Sequence, residues 1–226
     1  RSNADFVDAM REIGTPAILK TCTMGYDGKG QWKIESSNSL PELPYTSEYI
    51  YEGLVRFSKE ISVIVARNAA GDIKCYDPVE NEHKNHILHI TYAPANIQKS
   101  IAASAIQIAT TIAEGLNLVG LLAVEMFVTT TNDVLVNELA PRPHNSGHWT
   151  MDACKTSQFE QVIRAICGMP LGSTEILSPA KMLNLIGDDI NDVEKYRAMQ
   201  NAHVHTYGKK ESRPGRKMGH VNFLIS

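Results

Sequence analysis

Two acids stand alone inside apolar strings: Glu125 in Ala123-Val124-Glu125-Met126-Phe127 and Glu138 in Val136-Asn137-Glu138-Leu139-Ala140. Burying a carboxylate in such surroundings is costly unless it is paired or bound to a cation. If the strings form neighbouring strands, Glu125, Glu138 and the adjacent Asn137 make an all-oxygen ligand set suited to Mg²⁺ carrying nucleotide phosphates. The alternative is two acids facing outward from half-buried strands. The segment after Glu138 favours chemistry, because Pro141–His148 brings Arg142, His144 and Asn145 close together. A guanidinium, an imidazole and an amide are suited to hold a small planar anion beside a metal, although an inert surface loop has the same composition.

A second candidate begins five residues after Lys20 and comprises Gly25, Tyr26, Asp27, Gly28, Lys29, Gly30 and Gln31. Three glycines let the backbone close around an anion without Cβ atoms in the way. Successive N–H groups of such a loop make a phosphate-binding concavity, to which Lys20 and Lys29 add positive charge. Ala17-Ile18-Leu19 reads as a strand before the loop, and Gln31–Ile34 alternates as a half-buried strand after it. The pattern is a flap over a nucleotide or an ordinary hairpin turn. Its spacing is not that of a Walker A loop, and the residues after it show no helical period.

A third cluster, Lys209–Lys217, gathers five of the 22 basic residues around Pro214-Gly215. A charge run is usually a solvated loop, but here the turn is constrained. His83, His86 and His89 recur at three-residue spacing. Their segment reads as extended or irregular, which does not put them on one face.

These groups need elements to position them. The sequence predicts a short helix over Asp5–Ile13 capped by Ser2 or Asn3, and strands at Tyr49–Glu52, Glu60–Arg67 and Ile73–Tyr76. Apolar residues at Ile97, Ile101, Ala105, Ile108 and Ile112 predict a helix over Asn96–Leu116 stopped by Gly115. Gly120–Val128 and Val134–Leu139 read as strands joined by Thr129–Asp133, and Phe159–Cys167 as a helix ending at Gly168. Ala180–Ile225 reads as short strands around the charged loop. The class is α+β, with a small lid subdomain on a larger mixed-sheet subdomain. The expected divisions are 1–57 (lid with the flap), 58–195 (main subdomain with the metal site) and 196–226 (start of a β-rich segment).

The chain has 226 residues, a 43% hydrophobic fraction and a net charge of −3. That charge gives no reason to expect nucleic-acid or anionic-membrane binding. Cys22, Cys75, Cys154 and Cys167 form no CxxC pair, which fits reduced thiols. No apolar run is long enough to span a membrane, and no signal peptide is evident. A cytoplasmic protein is expected.

The strings GYDGKGQW, EGLV, AVEMF, NELAPRPHNSGHWT and RPGRKMGH resemble the ATP-grasp ligases. Within them, they are most similar to the branch that carboxylates aminoimidazole ribonucleotide in purine biosynthesis. The likeness covers nearly the whole chain. It implies two α+β subdomains that bind ATP and Mg²⁺, and an enzyme that captures bicarbonate as carboxyphosphate and passes the carboxyl group to 5-aminoimidazole ribonucleotide. It further implies a homodimer whose product goes to a carboxyaminoimidazole ribonucleotide mutase. By the same resemblance Lys20 contacts the nucleotide phosphates, Glu52, Gly53, Leu54 and Val55 read the adenine edge, Glu60 holds the ribose, and His83 lies near the nucleotide. Glu125 and Glu138 bind Mg²⁺ with Asn137 alongside, while Arg142, His144 and Asn145 line the bicarbonate pocket. Lys210, Arg213, Arg216 and Lys217 receive the acceptor's 5′-phosphate.

Two departures stand out. The family has a further N-terminal domain and a longer C-terminal part, so this sequence is expected to be an ATP-grasp portion of a longer protein. A glycine common in the family is replaced by Met24 before Gly25. The competing readings are another ATP-grasp ligase, of the formate-dependent glycinamide ribonucleotide transformylase or biotin carboxylase type, and a non-catalytic nucleotide-binding fragment.

Overall fold

The structure, a computed structural model, describes residues 3–23, 29–36 and 48–225. Gly25, Tyr26, Asp27 and Gly28 of the expected flap, and the candidate cap Ser2, lie outside the described residues. The chain forms two compact units, residues 1–56 with 85–87, and residues 57–84 with 88–226.

In the smaller unit, α1 (Asn3–Ile13) is followed by β1 (Ala17–Thr21), β2 (Gln31–Ile34) and β3 (Tyr49–Gly53). The helix starts two residues earlier than expected, and Gly14, at φ 84°, ends it by donating its N–H to the Met10 carbonyl. The strands form an antiparallel sheet in the order β2-β1-β3. Ala17, Leu19 and Ile34 are its buried residues. Phe6 of the helix packs edge-on against Tyr51 of β3, with ring centroids 5.4 Å apart.

The larger unit runs β4 (Phe57–Arg67), β5 (Ile73–Cys75), β6 (Val79–Lys84), β7 (Ile87–Ala93), α2 (Lys99–Gly115), β8 (Gly120–Thr129) and β9 (Val134–Ala140). It continues with α3 (Thr150–Ala153), α4 (Gln158–Ile166), β10 (Ala180–Ile186), α5 (Val193–Arg197), β11 (Ala202–Thr206) and β12 (Lys217–Leu224). The strands make one sheet in the order β11-β12-β10-β7-β6-β4-β8-β9, with β5 added on β4. The α+β class is as expected. The sheet was expected to be mixed, but the pairings with a defined register are antiparallel.

Two helix ends illustrate the local chemistry. The stop of α2 is Asn117 rather than Gly115: Asn117 takes φ 49°, and Leu118 N–H reaches back to the Ala113 carbonyl at 3.0 Å. Asparagine tolerates this left-handed position. Ser157 caps α4 by accepting the Glu160 N–H at 3.2 Å, and Gly168 at φ 68° lies just past its end as expected.

Period two along the strands divides the sheet into two faces. Ile61, Val63 and Val65 of β4 and Leu122, Val124, Met126 and Val128 of β8 pack against Ile101, Ala105, Ala109 and Ala113 of α2. On the opposite face, Ile64, Ala66, Leu121, Ala123 and Ala140 pack against Trp149, Ala153 and Val162. The same parity puts Glu60 and Ser62 of β4, Glu125 of β8 and Glu138 of β9 on this second face, which turns from apolar to polar along each strand. A third cluster joins Leu185, Val193 and Val221.

Gly219 of β12 is paired with Leu185 on one side and Thr206 on the other. A Cβ there would lie 2.5 Å from the His205 carbonyl oxygen and 3.2 Å from Thr206 Cα. Both obstacles are backbone, so the strands must part to admit a methyl group. Gly219→Ala is therefore expected to destabilise the chain by about 1–3 kcal/mol, read as a lower urea midpoint. An unchanged midpoint would contradict so close an approach of β11 to β12.

Candidate active site

Glu125 and Glu138 are direct partners across the β8–β9 ladder, as the sequence required of a shared cation site. Immediately beyond them the register shifts, and Met126 pairs with Val136, leaving Asn137 as the extra residue of a bulge. A bulge bends its strand and re-aims side chains, often beside active sites. On its other side Glu125 is paired with Ser62 of β4.

His144 approaches from the loop after β9, with Nε2 3.0 Å from Glu125 Oε1. Its Nδ1 lies 2.8 Å from Ser146 Oγ and 3.3 Å from the Ser146 N–H. Ser62 Oγ donates to Ser146 Oγ at 2.7 Å, Asn81 Nδ2 donates to Ser62 Oγ at 3.0 Å, and Thr91 Oγ1 donates to Asn81 Oδ1 at 2.9 Å. The loop is clamped by Gln158 of α4, which accepts the His144 N–H at 2.9 Å and donates to the His144 carbonyl at 2.8 Å. Gly147 permits this clamp, because a Cβ there would meet Gln158 Oε1 at 2.6 Å. None of Ser62, Asn81, Thr91, Ser146 and Gln158 was singled out in the sequence. Each is a buried polar residue, and burial was the signal that the sequence did not carry.

Glu60 and His83 form an ion pair through Oε2 and Nδ1. Burial disfavours protonation of His83, but its hydrogen bond to Glu60 and the charges of Glu60 and Glu125 outweigh this and raise its pKa; Lys217 opposes them. For Glu125, burial pushes the carboxyl up. The hydrogen bond from His144, the charge of His83 and a hydrogen bond with Glu138 outweigh that and hold it below 4.5. Glu60, His83, Glu125, Glu138, His144 and Lys217 are thus brought into one electrostatic neighbourhood.

Of the remaining loop residues, Arg142 is exposed and donates to the Pro143 carbonyl at 3.1 Å. Asn145 is half-buried, and both polar atoms of its amide are shielded with no protein partner. An orphaned amide beside two facing carboxylates fits a site that takes an oxyanion and a hard cation, since buried polar groups are ordinarily satisfied. His86 occupies the turn between β6 and β7, and His89 lies on β7, so the three histidines do not form a cluster. Asn85 and His86 both take positive φ there.

The basic run is an anchored turn. Arg216 N–H donates to the Arg213 carbonyl at 2.9 Å, Gly215 has φ 77° and Pro214 precedes it, the pattern of a type II turn. Ser212 donates to Asp188 at 2.7 Å, and Gly187 N–H to the Arg216 carbonyl at 2.8 Å. Arg213 pairs with Glu211, and Arg216 donates to the Glu211 carbonyl. Lys210 is exposed, whereas Lys217 is half-buried at the start of β12.

The other candidates belong to the smaller unit. Lys20 on β1 pairs with Glu52 on β3 at 2.7 Å, a contact between residues to which the sequence had given separate roles. Gly53 ends β3, and Leu54 N–H donates to the Pro16 carbonyl, with Val55 next in the chain. Lys29 is exposed, Gly30 has φ 75° and Gln31 opens β2 opposite Lys20.

Comparison with known proteins is decisive for the family. The ATP-grasp domain pattern matches residues 1–159, and that of the phosphoribosylaminoimidazole carboxylase C-terminal domain matches residues 180–226. The chain belongs to the ATP-grasp family. It is 47% identical to the N5-carboxyaminoimidazole ribonucleotide synthase of Bacillus subtilis (strain 168), over 99% of this chain and 60% of that protein. The synthase of Brucella melitensis is 45% identical over 95% of this chain and 61% of its own length. An ADP complex of N5-carboxyaminoimidazole ribonucleotide synthetase superposes with a TM-score of 0.93 at 46% identity, covering 99% of this chain and 60% of that one. The Aspergillus clavatus enzyme, in complex with ADP and 5-aminoimidazole ribonucleotide, gives 0.91 at 31% identity over 99% and 61%. The chain thus spans about 60% of the length of these curated synthases.

His148 and His220 lie beside the site, with ring centroids 4.8 Å apart. Burial, then neighbouring cationic groups, depress His148 to about 4; burial, then His148 and His205, depress His220 to about 3. Between those values and the ordinary 6.5, the unfolded chain binds protons that the folded chain refuses, so stability rises with pH across that window. Unfolding free energy should fall as pH drops from about 6.5 to about 4, by up to about 1.4 kcal/mol per pH unit per histidine. Denaturant unfolding at a series of pH values tests this, and His220→Gln should flatten the slope. A profile flat through that window, or unaltered by the substitution, contradicts the assignment.

Proposed function

We propose that the chain is the ATP-grasp portion of an ATP-dependent carbon–nitrogen ligase that carboxylates 5-aminoimidazole ribonucleotide with bicarbonate, by way of carboxyphosphate, in purine biosynthesis. The observation that carries this reading is Glu125 facing Glu138 across two strands, with His144 on Glu125 and Lys217 within electrostatic reach of His83. Kinship with the Bacillus, Brucella and Aspergillus synthases supports the choice of substrate.

In this reading Glu125 and Glu138 hold Mg²⁺, with Asn137 alongside; their oxygen donors suit a hard cation. When bound, that ion neutralises charge on the nucleotide phosphates. Arg142, His144 and the otherwise unpaired amide of Asn145 hold the bicarbonate and then its phosphorylated form. Fixed donors of this kind stabilise charge that develops on a transferring phosphoryl group and its acceptor. The anchored turn directs Arg213, Arg216 and Lys217, with Lys210, toward the acceptor's 5′-phosphate. Glu60 and His83 face the nucleotide, and Lys20, Gly30 and the segment Glu52 to Val55 contribute to ATP binding. Residues 1–57 act as the lid, 58–195 as the main subdomain and 196–226 as the opening of the C-terminal segment. The whole protein is a cytoplasmic homodimer whose product passes to a mutase. Among the described residues no helix is long and apolar enough to cross a membrane.

The test is phosphate release from ATP with bicarbonate, with and without 5-aminoimidazole ribonucleotide, in the full-length protein. Glu138→Gln should abolish turnover without lowering the melting temperature, since Glu138 is exposed on an edge strand. Turnover that survives the substitution removes Glu138 from the metal site.

The acceptor site makes a separate expectation. At least one of Arg213→Ala, Arg216→Ala and Lys217→Ala should raise the KM for 5-aminoimidazole ribonucleotide by about tenfold while that for ATP barely moves. If all three leave the acceptor KM unchanged, the turn is a solvated loop and the substrate rests on kinship alone.

A further inference from the structure

The hydrogen bonds that end on Glu125 share one direction. Thr91 has its hydroxyl on Asn81 Oδ1, which leaves Asn81 Nδ2 to donate to Ser62 Oγ. Ser62, having accepted, donates to Ser146 Oγ. Ser146 Oγ, in turn, has its own proton available for His144 Nδ1, 2.8 Å away. The backbone removes the remaining ambiguity. The Ser146 N–H also points at His144 Nδ1, at 3.3 Å, and an N–H only donates. Nδ1 must therefore be the unprotonated nitrogen, so the ring proton sits on Nε2, facing Glu125 Oε1 at 3.0 Å.

We propose that Ser62, with Asn81 and Thr91 behind it, is a positioning residue that fixes His144 in the Nε2–H tautomer and so holds one oxygen of Glu125. This rests on the reading of Glu125 and His144 as site residues, and it adds to that reading the residues that set their hydrogen-bond polarity. Thr91, Ser62 and Ser146 are fully buried, so no bulk solvent competes to scramble the chain. A half-satisfied buried network is costlier than an apolar one, which makes the whole array switch together or not at all. The Glu125 oxygen engaged by His144 is thereby assigned to the protein.

The tautomer is read from long-range ¹H–¹⁵N correlations of the histidine rings, with His144 assigned by the loss of its signals in His144→Gln. In the unaltered chain a single pattern is expected, protonated Nε2 and unprotonated Nδ1. Ser62→Ala and the near-isosteric Thr91→Val should each produce a second, Nδ1–H pattern, whereas a purely structural role would lower the melting temperature and leave one tautomer. An Nδ1–H ring in the unaltered chain overturns the proposal, as does a single unchanged tautomer in both variants. If Ser62→Ala does not fold, Thr91→Val and the unaltered chain decide. In the full-length protein, Ser62→Ala should lower kcat by about tenfold with the KM values for ATP and 5-aminoimidazole ribonucleotide within about twofold. Absence of turnover in the unaltered full-length protein would refute the proposed function while leaving the tautomer measurement intact.

Discussion

Glu125 is held between two partners, Ser62 on β4 and Glu138 on β9, and the antiparallel register of three strands fixes both at once. Because side chains alternate with period two, a slip of one residue in either ladder would carry the carboxylate to the face covered by α2. The apolar residues of the same strands prevent that slip. Ile61, Val63, Leu122 and Val124 fill one face and Ile64, Ala66, Leu121 and Ala123 the other, so a shifted register would bury charge and expose core together. Packing energy distributed over the sheet therefore secures the geometry of a few oxygen atoms at its polar end.

The loop from Arg142 to His148 is held by different means. It carries no long secondary structure, yet His144 and Ser146 are buried. The backbone N–H and carbonyl of His144 are met by the Gln158 amide, and the side chains of His144 and Ser146 by the hydrogen-bond chain that enters through Ser62 of β4. Such anchoring suits a site where donors must be in place before charge develops. The anchored turn around Pro214-Gly215 obeys the same principle, with Gly187 and Asp188 supplying the tether.

Much of this was legible in the sequence. Lone acids in apolar strings announced the paired carboxylates, the 3.6-residue period announced α2, and Pro-Gly announced the turn. The supporting residues were not, and the reasons are physical. Ser62 in EISVIV looks like any outward-facing serine until the opposite face is known to be covered as well. Asn81 and Thr91 sit on a hairpin whose turn, Asn85-His86, contains no glycine, so the usual punctuation is missing. The pairing of Lys20 with Glu52 depends on which strands become neighbours across the three-stranded sheet. His205 of β11 and His220 of β12 stack with ring centroids 4.6 Å apart, a contact that requires the pairing and register of β11 with β12 to be known. In each case local pattern identified the element, and tertiary pairing decided what its polar residues do.

The bulge at Asn137 has an effect beyond re-aiming side chains. β9 is the outermost strand of its sheet, and Leu135, Val136 and Leu139 are exposed on it. A straight strand of that composition would present a regular row of peptide groups on which a second chain could dock, the first step toward intermolecular aggregation. The extra residue interrupts that row midway and twists the strand out of register with any straight template. The irregularity that re-aims side chains beside Glu138 also breaks the regularity of an exposed edge, so a substitution chosen to straighten the strand is expected to alter both.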